Sequence, residues 1–116
     1  MIAYLNPALA YLSIFLGLIS WINPRYTLGA LNLATTSDTM GLSELRAASG
    51  AMFVGLGVGA LWLGTPTAYV MMGVGWGFAS LGRLTSIVFD GQSAKKWVFF
   101  AVEAVFAIVV IAINPI

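Results

Sequence analysis

The sequence predicts an all-α polytopic membrane protein, a bundle of four transmembrane helices in a single transmembrane domain, and three observations carry that prediction. Apolar residue types make up 60% of the chain and charged ones 8%, with a mean hydropathy of +0.97. A water-soluble chain of 116 residues could not bury that much apolar surface. Apolar runs recur along the whole chain, and only residues 23–42 and 90–94 read as polar or turn-rich. A bilayer core about 30 Å thick takes roughly 20 helical residues to cross, so four crossings fill the chain. A closed barrel would need alternating apolar and polar positions, whereas residues 97–113 are apolar on every face.

The first crossing is expected over about residues 3–22, closed by Trp21 and the Asn23-Pro24-Arg25 stop. Asn6-Pro7 reads as a cap and first helical position, so the regular helix is expected from Pro7, about 24 Å long, with residues 1–5 interfacial. No basic leader and no small-residue cleavage site precede Trp21, so the segment reads as a retained crossing rather than a signal peptide. Residues 23–42 form the longest loop. Its middle, 26–34, is apolar enough to rest at the interface, and Thr35, Thr36, Ser37 and Asp38 mark a break before Gly41.

The second crossing is expected over 43–63, with the Ser43 hydroxyl as its cap and Glu44 in the first turn, where the helix dipole favours negative charge. Gly64-Thr65-Pro66-Thr67 is a tight uncharged turn that makes the second and third helices antiparallel neighbours. The third runs over about 68–89, Asp90-Gly91-Gln92-Ser93 turns the chain, and Ser93 can cap a fourth helix over about 94–113. Asn114-Pro115 ends it.

Composition narrows function by exclusion. A net charge of +1 gives no basic face for nucleic acid, and Lys95-Lys96 is too short for a polybasic lipid-binding run. With no Cys and no His, the chain lacks thiol chemistry, the usual general base and the commonest metal and haem ligand. No cofactor, no metal site and no enzymatic activity are expected.

Ala51, Gly55 and Gly59 recur every four residues on the second helix, as do Gly73 and Gly77 on the third. Lipid provides no hydrophobic push between helices, so small residues at this spacing point to close helix packing, within this chain's own hairpin or against another protein. Glu44, Arg46, Arg83 and Glu103 fall within or at the edge of predicted helices. Each would cost about 2.5 to 3.5 kcal/mol unpaired at mid-helix. An antiparallel hairpin centred on Ser93 sets Arg83 and Glu103 at one depth, and the hairpin centred on the Thr65-Pro66 turn brings Glu44 and Arg46 within about one turn of Arg83. The four read either as a neutral ion-pair cluster that locks the bundle or as the setting for a proton-carrying or cation-binding Glu103. Trp21, Trp62 and Trp97 sit where interfacial belt residues sit; Trp76, Phe78, Phe99, Phe100, Met71 and Met72 read as packing rather than as a pigment or quinone site.

Ser43-Glu44-Leu45-Arg46-Ala47, Gly82-Arg83, Glu103 and the Asn-Pro after the first helix together resemble a family of small bacterial four-helix membrane proteins catalogued only as a domain of unknown function. The resemblance spans nearly the whole chain and implies no assigned activity. Members usually open with basic residues, which this chain lacks, and the loop after the first helix is more polar here around residues 35–39.

The leading expectation is a non-enzymatic structural or accessory subunit of the bacterial inner membrane, embedded in the lipid bilayer and packed against a larger membrane protein assembly or against itself. The alternative is a small oligomeric proton- or cation-linked transporter using Glu103. Arg25, Arg46, Arg83, Lys95 and Lys96 all flank the first and third loops, so both loops are expected in the cytoplasm and both termini outside.

Overall fold

The structure, a computed structural model, describes residues 2–36 and 38–116; Ser37, one of the residues read as a loop break, lies outside the described residues. Among the described residues every regular element is helical. The chain runs through α1 (Ile2–Ile22), α2 (Pro24–Ala30), α3 (Met40–Leu63), α4 (Pro66–Phe89) and α5 (Ala94–Ala112). By length and composition, α1 from Tyr4 to Ile22 and α3 are the two described helices able to cross a membrane. Contacts gather the residues into two compact units, one over 7–62 and one over 63–116 with the start of α1 through Asn6.

In the first unit α1 and α3 run antiparallel with their backbones in close approach. A Cβ built on Gly57 would lie 2.5 Å from the Ala10 carbonyl oxygen, one on Gly17 would lie 2.6 Å from the Gly50 carbonyl oxygen, and one on Gly50 would lie 2.6 Å from the Trp21 nitrogen. Between these points the buried Ser13 hydroxyl donates to the Phe53 carbonyl at 2.9 Å. Of the two packings expected for Gly55 and Gly59, the one within this chain is not made: neither has anything within 4 Å of where a Cβ would stand. At about 100° per residue both lie roughly 160° around the axis from Gly57, so the close-approach face is carried by Gly50 and Gly57, seven residues apart.

Within α3, Leu45–Ala51 is wound as π-helix, and the Met52 N–H bonds to the Ala47 carbonyl five residues back. The wider turn puts Leu45 and Gly50, five residues apart, both in buried positions. The helix begins at Met40 rather than at Ser43, which lies inside it; Asp38 Oδ1 accepts the Met40 N–H at 2.9 Å. Part of the expected loop 23–42 is also helical. Pro24 at the first position of α2 needs no N–H partner, Asn23 Oδ1 accepts the Tyr26 N–H at 3.3 Å, and the Thr27 hydroxyl meets that of Ser20 at 2.8 Å. Asn32, at φ 57°, follows the end of α2.

In the second unit α4 and α5 pack antiparallel along their lengths. Thr65 Oγ1 accepts the Ala68 N–H and Pro66 takes the first position of α4; Ser93 Oγ accepts the Lys96 N–H to open α5, after Gly91 turns the chain at φ 96°. Buried residues recur at helical spacing on both faces: Tyr69, Met72, Gly73, Trp76 and Ser80 on α4, and Glu103, Phe106, Ala107 and Val110 on α5. Gly73 receives Val110 and Ile111, a Cβ on Gly77 would stand 3.3 Å from Ala107 Cβ, and the Trp76 and Phe106 rings lie 4.6 Å apart. Met72 is buried in this stripe, and Met71, one residue off it, is 63% exposed.

The start of α1 is a further correction. Pro7 does not begin the helix, which runs from Ile2 with Pro7 inside it. Asn6, whose amide was expected to cap, instead pairs side chain to side chain with the buried Asn114, each Nδ2 donating to the other's Oδ1 at 2.7 Å. Asn114 Nδ2 also donates to the Val110 carbonyl at 2.7 Å.

These approaches separate two classes of glycine on one helix. Gly57→Ala should destabilise the protein by about 1–3 kcal/mol, because the added methyl meets backbone that cannot swing aside. Gly55→Ala should be neutral or stabilising by up to about 1 kcal/mol through helix propensity. Thermal unfolding in detergent checks the contrast, and equal midpoints for the two variants would contradict the α1–α3 approach.

Candidate functional site

Helix register builds the central charge pair. Arg83 lies in the last third of α4 and Glu103 midway along α5, and the antiparallel packing that sets Gly77 against Ala107 continues toward the turn to bring their side chains together. Arg83 Nε donates to Glu103 Oε1 at 3.2 Å and Nη2 donates to Oε2 at 3.0 Å. The fork occupies both carboxylate oxygens, a geometry stronger than a single contact. The Glu103 side chain is 11% exposed and that of Arg83 30%, and the guanidinium lies over the Phe99 ring, 5.1 Å from its centre. Chemically, this arrangement neutralises a buried acid and covers one face of its cation with an aromatic ring.

Arg46 and Glu44 lie in the first unit, on α3. Arg46 Nη1 donates to the Trp21 carbonyl at 2.7 Å, satisfying a carbonyl in the last turn of α1. Glu44 is exposed. Of the four charged residues expected to cluster, Arg83 and Glu103 form an ion pair. Of the expected packing residues, Gly73 and Gly77 face α5, Gly55 and Gly59 face nothing within 4 Å, and Ala51 lines an open groove of about 520 Å³ at the start of α3, together with Trp21, Thr39, Ser43 and Arg46.

Sequence reasoning missed Asn6, Ser13, Gly17, Gly50, Gly57 and Asn114. The signal for the asparagines was present: each precedes a proline, at opposite ends of the chain, and each was read only as a helix boundary. For the glycines the available signal was the seven-residue interval from Gly50 to Gly57, which competes in the sequence with the four-residue interval from Gly55 to Gly59.

A family model described as a domain of unknown function (DUF4345) matches residues 7–113. No curated protein and no solved structure matches the chain.

Removing Glu103 leaves a guanidinium without its partner between two packed helices, whereas Asp90 lies exposed at the turn after α4. Glu103→Ala is expected to cost about 2–4 kcal/mol, toward the lower end because Arg83 is partly exposed, and Asp90→Ala less than about 0.5 kcal/mol. The double variant Arg83→Met/Glu103→Leu should recover most of the loss, since an apolar replacement strands no charge. Thermal unfolding in detergent reads all three, and Asp90→Ala proving the more damaging would refute the role of the pair.

Proposed function

The chain belongs to the DUF4345 family, and from a fold in which helix faces rather than a catalytic cleft are the prominent features we propose that it is a non-enzymatic integral membrane protein of four crossings. In this reading it serves as a structural or accessory subunit, packed against a larger membrane assembly or against itself. The observation that carries the reading is the uncovered face of α3. Gly55 and Gly59 have nothing within 4 Å, and Met52, Trp62 and Leu63 flank them on the same face at 54%, 85% and 65% exposure. A ridge of large apolar side chains with glycines at its centre suits the close approach of another helix in lipid.

Crossings by α4 and α5 are supported by length: 24 and 19 residues at 1.5 Å each make about 36 and 28 Å, against a hydrocarbon core of about 30 Å. Arg83 and Glu103 make these helices more polar than α1 and α3, and their mutual pairing lowers the cost of placing both in lipid. The same two-oxygen pairing favours a lock over the transporter reading, because a proton-carrying Glu103 would have to release Arg83 in every cycle. The absence of His and Cys from the sequence supports a non-enzymatic role.

In mild detergent the native chain should migrate as a complex, with itself or with a copurifying membrane protein, and Gly55→Leu/Gly59→Leu should weaken that complex at least tenfold without loss of helicity. A strictly monomeric native particle with no partner would overturn the proposal. Proteoliposome flux should be equal for the native chain and Glu103→Gln; a proton or cation flux lost only in the variant would establish the transporter instead.

Orientation follows from basic residues outside the paired cluster: Arg25, Lys95 and Lys96 flank the first and third loops, and none flanks the opposite side. With those loops in the cytoplasm of a bacterial inner membrane, a Cys placed at Thr67 should react with a membrane-impermeant maleimide in intact cells and one at Thr36 should not. The reverse labelling would invert the topology.

A further inference from the structure

We propose that the groove at the start of α3 binds the phosphate of an anionic phospholipid headgroup, with Arg46 as its cationic contact; this rests on the membrane reading given under Proposed function. Arg46 is exposed and spends Nη1 on the Trp21 carbonyl at 2.7 Å, which anchors the guanidinium at the groove. Nε and Nη2 have no protein acceptor among the described residues. The fork of a guanidinium matches two phosphate oxygens, so an anchored and half-engaged Arg is suited to a phosphodiester.

The remaining lining completes a headgroup site. Thr39 and Ser43 contribute hydroxyls, and the Thr39 hydroxyl makes no helix-cap bond. Ala47 and Ala51, both in the π-helical segment, leave space that larger side chains would fill. Ser43, Arg46, Ala47 and Ala51 line the groove at the spacing of one helix face, and the last three lie in the π-helical turn, a form that recurs at functional sites. Trp21 borders the groove from the last turn of α1, where an indole sits at headgroup depth. A volume of about 520 Å³ falls within the range of small-molecule sites. Polar donors beside apolar walls in an open groove fit a lipid, whose phosphate and acyl chains need both; a free phosphate would leave the apolar wall unused. Exposed Glu44 is two residues from Arg46, a spacing that does not place the two side chains on one helix face.

The test uses the full chain in a non-ionic detergent, titrated separately with phosphatidylglycerol, phosphatidylcholine and inorganic phosphate, with thermal midpoint and lipid adducts in native mass spectra as readouts. Phosphatidylglycerol should raise the midpoint and remain bound. Arg46→Gln should weaken that binding at least fivefold and Ser43→Ala about twofold, and Ser43→Ala leaves the Arg46 bond to Trp21 intact, so it decides the matter should Arg46→Gln lose helicity. Phosphatidylcholine and inorganic phosphate should have no effect. Undiminished phosphatidylglycerol binding in the folded variants, no binding by the native chain, or an equal response to inorganic phosphate would each overturn the lipid site. An alkaline carbonate wash distinguishes the two failures: release of the chain from membranes sinks the membrane reading, whereas retention without a phosphatidylglycerol effect sinks the groove alone.

Discussion

Close approach of helix backbones where side chains are missing is the constraint on which both helix pairs depend. At Gly57 and Gly17 a Cβ would collide with carbonyl oxygens of the facing helix, so α1 and α3 can hold this distance only while those positions stay glycine. Gly73 does the same more gently, meeting the branched side chains of Val110 and Ile111 rather than backbone. Two polar contacts between α1 and α3 use the same approach. The Ser13 hydroxyl reaches the Phe53 carbonyl, and Arg46 reaches the Trp21 carbonyl, because the helix surfaces are already within a few ångströms.

Polar side chains on these helices are satisfied by backbone or by one another. Ser80 donates to the Gly77 carbonyl three residues back at 2.6 Å, Thr85 to the Leu81 carbonyl four residues back at 2.8 Å, and Asn114 to Val110 as well as to Asn6. Among the described residues no buried side-chain nitrogen or oxygen is left without a partner. That pattern is what a low-dielectric surrounding requires, since an unpaired amide or hydroxyl there costs several kcal/mol.

How much of this was legible in the sequence follows from the physics of each feature. Helices were readable from apolar runs and punctuation: Ser93 and the turn around Gly91 mark the α4–α5 connection as plainly in the sequence as in the fold. Arg83 and Glu103 were readable as a pair because an antiparallel hairpin with a short turn fixes depth. The face of α3 that packs within the chain was not, because small residues at two different intervals compete and only the partner helix decides between them; Gly50 and Gly57 meet α1, and Gly55 and Gly59, at the better-known spacing, meet nothing in this chain. The π-helical turn at Leu45–Ala51 has no local sequence signature, and it shifts the angular position of everything before it. The role of Asn6 was not legible because its partner, Asn114, is 108 residues away, whereas the short α2 carried local signals, the Asn23 cap and Pro24, that read equally well as the stop of the helix before it.

The two arginines within the long helices show opposite solutions to one problem. Arg83 is closed: a carboxylate takes both arms of its fork, an aromatic ring covers it, and no net charge remains to attract anything. Such a pair fixes the register of α4 and α5 and gives little reason to expect chemistry there. Arg46 is half open, held by one neutral carbonyl that leaves its charge uncompensated, in the second turn of α3 beside an indole and two hydroxyls. An uncompensated cation is tolerated at a membrane edge, where water and headgroups reach it, and is far more costly at the bilayer centre. Each arginine stands six residues from one end of its helix, so it is the neighbouring groups and not the distance from that end that separate the two: Arg83 finds a carboxylate on the facing helix, and Arg46 finds the Trp21 carbonyl.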